Sequence, residues 1–331
     1  MKKALRQLIV AMVLAVVLYG GYAIWSGLGK LGESLAHFTV VSFVFACALA
    51  FGNYCLRFLK WEFYLARLDI RGIPKLDSFL TFLSGFVLTV TPGKVGEVFK
   101  SLVLFETYGV PIARTAPIVV AERVTDLIGI ITLIVLGSLG FSGGLIWAAV
   151  GATLVLSLLV VIASPRLSHA LIDMARHLPG SFAKTRLAPK LRESYESLAT
   201  LLRARNLVVP TALSIAAWSL ECLSLWVILR GFGEVTSVSL AAFFYATSTL
   251  AGALVPVPGG LGITEGALKE QLQTLGHVSP STSTAAMMLV RFATLWFAVL
   301  VGFVALGILR AKHPLLLAGT PKQIDEEIAT G

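Results

Sequence analysis

Apolar residues run in long blocks along this chain, and polar ones gather in the gaps. Eight apolar segments stand out, over residues 8–25, 38–56, 78–91, 117–139, 145–164, 207–229, 237–255 and 282–309. A helix needs about 20 residues to cross the hydrocarbon of a bilayer, and six of the segments meet that length or nearly so. Segment 78–91 is short, and segment 237–255 runs directly into Pro256-Val-Pro-Gly-Gly260. The pattern predicts an all-α polytopic membrane protein in which two of the apolar segments are broken.

Composition agrees with that pattern. The 331 residues are 56% hydrophobic and 14% charged, whereas a globular domain is about a quarter charged. A soluble enzyme would have to bury nearly every helix on all faces, and that class is set aside. The net charge of +9 comes from Lys and Arg gathered in particular loops, as the positive-inside rule requires. No basic run is interleaved with aromatics, so nucleic acid is not expected as a partner. The basic loops 57–75 and 165–206 predict cytoplasmic sites, as do Lys2, Lys3 and Arg6 at the start and Arg310 and Lys312 near the end. The N- and C-termini are therefore expected in the cytoplasm of a bacterial cell (inner) membrane. The start could pass for a signal peptide, but it lacks a small-x-small cleavage site and reads as an uncleaved first span.

Charge parity then decides the short segments. Lys94, Lys100 and Arg114 follow segment 78–91, so the chain is expected to enter from the cytoplasm, break at Pro92-Gly93 and return. Segment 237–255 is expected to enter from outside and return after Pro258-Gly259-Gly260. Six full spans plus two re-entrant hairpins result; eight full spans is the alternative. The chain reads as one transmembrane domain over 1–331, with repeat one at about 38–139 and repeat two at about 207–310. The basic cytoplasmic loop 165–206 carries leucines at helical spacing, open to reading as a helix on the membrane face or as a solvated one. The tail 319–331 is expected to be disordered. Cys47, Cys55 and Cys222 lie in or beside apolar segments and are expected to pack as small apolar residues.

The two broken segments match in order. The first reads Thr91-Pro-Gly-Lys-Val-Gly-Glu97, then Gly109-Val-Pro111, then Arg123. The second reads Val257-Pro-Gly-Gly-Leu-Gly-Ile-Thr-Glu265, then Gly276, Pro280 and Arg291. Glu97 precedes Arg123 by 26 residues, and Glu265 precedes Arg291 by the same 26. A duplicated unit is predicted, inverted because its hairpins open to opposite sides, and inverted repeats with discontinuous helices are a transporter signature.

Chemistry concentrates at the breaks. Pro92, Gly93, Gly96, Pro258, Gly259, Gly260 and Gly262 interrupt helices, and a broken backbone inside a membrane belongs where it is buried or lines a wet cavity. N–H groups at a restarted helix suit an anion; a plain turn is the other reading. Arg123 and Arg291 lie within apolar segments, where a charge costs about 3 kcal/mol on insertion scales. Pairs of Glu97 with Arg123 and Glu265 with Arg291 would satisfy them, either as structural pins or as part of a binding site. Glu122 and Asp126 make the first repeat the more charged one. Lys94 and Lys100 either attract a lipid phosphate or mark the cytoplasmic face. Arg57, Lys60 and Trp61 are expected as interfacial anchors, and Glu221 as a candidate for proton coupling or a helix contact. The chain carries no hydrolase, zinc-protease or P-loop motif, so no catalytic residue, metal or cofactor is expected.

The motifs at Pro92-Gly-Lys-Val-Gly-Glu97, Glu122-Arg123-x-x-Asp126 and Pro258-Gly-Gly-Leu-Gly-x-x-Glu265 resemble the flippase-like membrane region of lysylphosphatidylglycerol synthases, in the form of a stand-alone member, from about residue 8 to 310. The resemblance implies a lipid flippase or transporter that moves an anionic, polyprenyl-linked or hopanoid-type lipid between leaflets. It implies a membrane lipid as substrate, lipid-biosynthesis enzymes as possible partners, and no synthase activity, since the chain has no room for an aminoacyl-transferase domain. Gly260 stands where Lys94 stands in the first motif, so the hairpins need not be equivalent. Rival readings are a membrane enzyme acting on a lipid head group through Glu97, Asp126 and Glu265, and a scaffold subunit of a lipid-synthesis complex docking through loop 165–206.

Overall fold

The computed structural model describes residues 28–91, 97–139, 146, 149, 150, 153, 187–255, 257–314 and 316. The expected span 8–25, nearly all of span 145–164, the loop up to 186 and the tail 319–331 lie outside these residues, as do Pro92, Gly93, Lys94 and Gly96.

Every regular element among the described residues is helical. Helices α1 (Leu28–Ala36) and α2 (Val40–Arg67) are followed by α3 (Lys75–Ser84), which tightens into a 3-10 turn over Gly85–Leu88. Next come α4 (Phe99–Tyr108), α5 (Ile112–Ser138), α6 (Leu187–Leu201), α7 (Ala204–Gly231) and α8 (Val238–Leu254). Helices α9 (Ile263–Thr274), α10 (Pro280–Arg291) and α11 (Phe297–Lys312) complete the series, with a π-turn at Phe292–Trp296 joining the last two.

Among the described residues three runs are long and apolar enough to cross a membrane: α2, α7 and the continuous stretch Pro280–Lys312. α5 has the length, 27 residues, but carries Glu122, Arg123 and Asp126 in its middle. The faces of α2 explain why lipid is its solvent. Val40, Val41, Val44, Phe45 and Leu59 are exposed, while Asn53, Arg57 and Lys60 are buried. Apolar side chains outward and polar ones inward is the arrangement that hydrocarbon demands. The chain is a multi-pass integral membrane protein.

α2 also corrects the sequence reading. Its helix does not stop at residue 56 but continues to Arg67, about 42 Å at 1.5 Å per residue. Arg57, Lys60 and Trp61 are therefore not interfacial anchors. They continue the buried stripe begun by Ala46, Ala50, Asn53 and Tyr54, because a spacing of three to four keeps all of them on one face.

α3 and α4 pack as an antiparallel pair. Tyr108 at the end of α4 donates to Asp77 at the start of α3 (2.5 Å), and Gly85 lies against Lys100. α8 and α9 pair likewise: Thr247 donates to Gln271 (2.7 Å), Gln271 donates to Ser248 (3.1 Å), and Gly252 faces Thr264. The open ends of the two pairs lie at opposite ends of the bundle. At one end Asp77 binds Lys312 and, at 2.9 Å, His313, both at the end of the α10–α11 run. At the other end, where α8 begins, α10 also begins, and the Thr39 N–H at the head of α2 donates to Gly231 at the tail of α7 (3.0 Å). The closed ends meet between them. A Cβ at Gly259 would lie 3.1 Å from Val90, and Val90 packs with Val299, Leu261 and Leu295.

Each pair needs close backbone approach where it closes. Gly259, Gly260 and Gly262 have φ of 62°, 68° and 86°, in the left-handed region that only glycine enters without strain. Gly302 of α11 lets the 3-10 turn come so near that an added Cβ would sit 2.7 Å from the Val87 nitrogen. Small residues at such crossings are how membrane helices gain packing.

Candidate functional site

Along α5 the apolar Ile118 and Ala121 give way to Glu122, Arg123 and Asp126, and then to Ile128, Ile130 and Ile131. This short charged stretch meets Arg57 and Lys60 of α2, three residues apart and on the same helix face, and Glu97, just ahead of α4. Asp126 is the hub. Lys60 Nζ donates to its Oδ1 at 2.5 Å and also to Ser214 (2.8 Å) and Thr125 (3.4 Å). An ammonium has three donors, and all three are used, at 0% exposure. Ser214 in turn donates to Asp126 (2.9 Å).

Arg123 Nη2 pairs with Glu97 at 2.9 Å and with Asp126 at 3.2 Å. Arg57 stands farther off, 3.8 Å from each of the same two carboxylates, with its guanidinium over the Phe86 ring. Lys100 and Glu122 form a separate buried pair at 2.5 Å, and the Lys100 ammonium also sits 4.7 Å from the Trp61 ring centroid. Lys100 is thus held inside the bundle by Glu122. It pins α4 to α5.

The second half is simpler. Arg291 Nε donates to Glu265 Oε1 at 2.7 Å, and its Nη2 donates to the Gly259 carbonyl at 2.8 Å. The other Glu265 oxygen accepts the Gly262 N–H at 2.7 Å, so one carboxylate ties the start of α9 to Arg291. A π-turn begins at the next residue, a geometry frequent at functional sites. Glu221 accepts from Tyr245 at 2.6 Å.

Between the two halves lies a cavity of about 380 Å³. Arg57, Arg123, Asp126, Glu221, Tyr245 and Arg291 supply much of its polar wall, and Leu127, Ile130, Leu250 and Leu295 part of its apolar one. Leu254 and Val255 also line it and are 75% and 39% exposed, so its apolar rim faces the outside of the bundle.

Of the residues singled out by sequence, Arg57, Arg123, Asp126, Glu221, Gly259, Gly260 and Arg291 border this cavity. Glu97 and Glu265 bind the arginines that do. Glu122 and Lys100 pair with each other, while Pro258 and Gly262 shape the break before α9. Pro92, Gly93, Lys94 and Gly96 lie outside the described residues. The two Glu–Arg pairs suggested by the equal 26-residue spacing are both formed. The sequence reading took Arg57 and Lys60 for interfacial anchors and missed Tyr54 and Tyr245. The signal for Arg57 and Lys60 was the unbroken spacing of α2 beyond residue 56; Tyr54 and Tyr245 carried none.

A family model of the lysylphosphatidylglycerol synthase transmembrane region matches residues 12–302. Similar curated proteins include a UPF0104 membrane protein of Methanothermobacter thermautotrophicus, 24% identical over 319 residues covering 90% of this chain and 94% of that one. A UPF0104 membrane protein of Methanocaldococcus jannaschii is 22% identical over 271 residues, 76% of this chain and 80% of its own. With the motifs, the helical bundle and a match across most of its length in agreement, the chain belongs to the lysylphosphatidylglycerol synthase transmembrane-region family.

Proposed function

We propose that this protein is a lipid transporter that moves an anionic, polyprenyl-linked or hopanoid-type lipid between the leaflets of a bacterial inner membrane. The observation that carries the reading is the cavity between two oppositely directed helical hairpins, walled by Arg57, Arg123 and Arg291. In this reading α3–α4 and α8–α9 are re-entrant, entering from opposite faces, and the two halves form an inverted repeat. Interrupted helices are tolerated at membrane depth where they line a polar cavity, and in transporters they place the site near the midplane between repeats. The head group would occupy the cavity, and the acyl chains would leave past Leu254 and Val255 into the bilayer. Rocking of one half against the other would alternate access.

A head-group-modifying enzyme is the weaker reading. Glu97, Asp126 and Glu265 are each committed to an arginine or lysine, an arrangement suited to holding charge rather than to moving protons.

The test is leaflet exchange by the purified protein in liposomes carrying a broad panel of labelled lipids. Exchange of at least one anionic lipid above protein-free liposomes is expected, reduced by Arg123→Ala; no exchange of any lipid sinks the reading. Orientation is checked separately with Lys75→Cys and Val235→Cys, at exposed positions near opposite ends of the bundle. Impermeant reagent should label the first from the cytoplasm and the second from outside. Labelling of both from one side would remove the opposed hairpins.

A further inference from the structure

Among the described residues the apolar core falls into two large clusters, one toward each end of the bundle. The first helical pair supplies Leu80, Leu83 and Val103 to one cluster, and the second pair supplies Phe244, Leu268 and Leu272 to the other. The run Pro280–Lys312 belongs to both. Its α10 half places Ala286, Met287 and Val290 in the cluster of the second pair, while Ala298, Ala305 and Leu309 of α11 lie in the cluster of the first. Polar contacts divide at the same place. Arg291 holds Glu265 and the Gly259 carbonyl, whereas Lys312 and His313 hold Asp77, and Gly302 admits the backbone of the Gly85–Leu88 turn. α11, although late in the chain, therefore packs with the first pair, and α10 with the second.

The π-turn Phe292–Trp296 lies at that division. Here the Phe297 N–H reaches back five residues, to the Phe292 carbonyl, so the ladder of four-residue bonds that stiffens a helix is interrupted. Thr294 within the turn donates its hydroxyl to the Val290 carbonyl (2.8 Å), a back-bond of the kind that bends helices. Its own carbonyl accepts from the Tyr54 hydroxyl of α2 at 3.0 Å. The closed ends of both pairs meet against this turn, Val90 and Leu261 packing with Leu295, Trp296 and Val299. α2 and α5 also pass from one cluster to the other, but as continuous α-helices. A weakened ladder at the point where a helix changes its packing partner is what a hinge requires.

We infer that the π-turn is a hinge about which α10 and the second pair swing relative to α11 and the first, with the Tyr54–Thr294 hydrogen bond holding the present setting. Arg291, the residue before the turn, rides with the second pair and borders the cavity, so the swing changes its distance from Arg57 and Arg123. The moving bodies are set by the two apolar clusters and not by order along the chain. The inference stands on packing and backbone geometry, independently of the transport reading.

The experiment measures distances between nitroxide labels by pulsed electron paramagnetic resonance, on full-length protein in liposomes in a background lacking Cys47, Cys55 and Cys222. One pair of labels, at Thr274→Cys and Arg310→Cys, spans the turn from exposed positions near the ends of α9 and α11. A control pair, at Val40→Cys and Ala66→Cys, spans the continuous α2, also from exposed positions. The first pair should give two distances and the control one. Tyr54→Phe should shift the ratio of the two distances about 5-fold, the equivalent of one net hydrogen bond, and leave the control unchanged. A single distance across the turn, as narrow as the control, in both wild type and Tyr54→Phe overturns the hinge. So does a second distance in the control pair, which would mean that the whole bundle bends, or a ratio that Tyr54→Phe leaves unmoved. If Tyr54→Phe does not fold, the wild-type labels decide alone: two distances support the hinge and one overturns it. Two distances in a protein that exchanges no lipid would remove the transport reading alone. Leaflet exchange by a protein with a single distance would remove the hinge alone.

Discussion

Lys60 is buried with Asp126 as its ion-pair partner, while Asp126 also holds Arg123 and Arg57. Removing one member strands a charge at about 3–5 kcal/mol, whereas replacing both with apolar groups is often neutral or stabilising. Lys60→Met is therefore expected to lower the detergent melting temperature, and Asp126→Leu to lower it further because Arg123 and Arg57 also lose a partner; the two losses combined are expected to be less than additive. A double-mutant cycle with no coupling would show the pair to be idle. Asp77 makes a different kind of contact at the end of the bundle. Burial pushes its carboxyl up, but hydrogen bonds from Lys312, Tyr108 and His313 outweigh it and hold the carboxyl at about 2. A carboxyl depressed on folding stabilises above its unfolded value, near 3.9, and that contribution fades as pH falls toward 2. Asp77→Asn is expected to melt earlier than wild type at pH 7 and to converge with it as acid is approached; a constant gap between the two would exclude the ionised clasp. At this scale the Glu–Arg pairs were legible, because a charge inside an apolar run has to find a partner and equal spacings named it. Arg57 and Lys60 were not. A basic residue at the end of an apolar run looks the same whether it reaches outward to water or inward to a carboxylate.

The helical pairs depend on glycine where they touch their neighbours. Any side chain at Gly302 would push against the backbone of the Gly85–Leu88 turn, and overpacking of this kind costs about 1–3 kcal/mol. Gly302→Leu is expected to lower stability by that order and to displace α3 from α11, read as increased proteolysis between α2 and α5. A variant as stable and as resistant as wild type would mean that the contact yields freely. Element boundaries were the least legible feature in the sequence. α2 runs eleven residues past the expected end of its span at residue 56, and α5 starts ahead of Pro117. Charge and proline were taken as ends, yet a buried partner lets a helix carry charge, and α5 accommodates Pro117 near its start. The breaks themselves were legible, since Pro258-Gly259-Gly260 leaves a helix no way to continue.

For the whole molecule, the contact between the closed ends of the two pairs is the place to test motion. Val90 packs with Leu261 across this contact, so Val90→Cys and Leu261→Cys can be paired for a disulfide, in a background lacking Cys47, Cys55 and Cys222. If the halves must part to move lipid, oxidation should reduce leaflet exchange at least ~10-fold and reduction should restore it. Full exchange by the oxidised protein would leave the rocking scheme without support. The family match and the cavity bear on each other here. The match extends over both broken segments, and it is these segments that bring Gly259, Gly260 and Glu97 to the cavity or to the arginines that wall it.

The sequence by itself determined that this chain lives in lipid, that it is helical, where two of its helices break, and which glutamate answers which arginine. Each of these follows from local chemistry: a run of apolar residues long enough for a bilayer, a proline and glycines that end a helix, a charge that cannot stand alone in hydrocarbon. The tertiary structure alone decided that Arg57 and Lys60 turn inward, that Lys100 belongs to Glu122, and that Tyr245 meets Glu221. Those outcomes depend on which helix faces which, and in a membrane a polar side chain's direction is set by the nearest partner across the packing interface rather than by its neighbours along the chain.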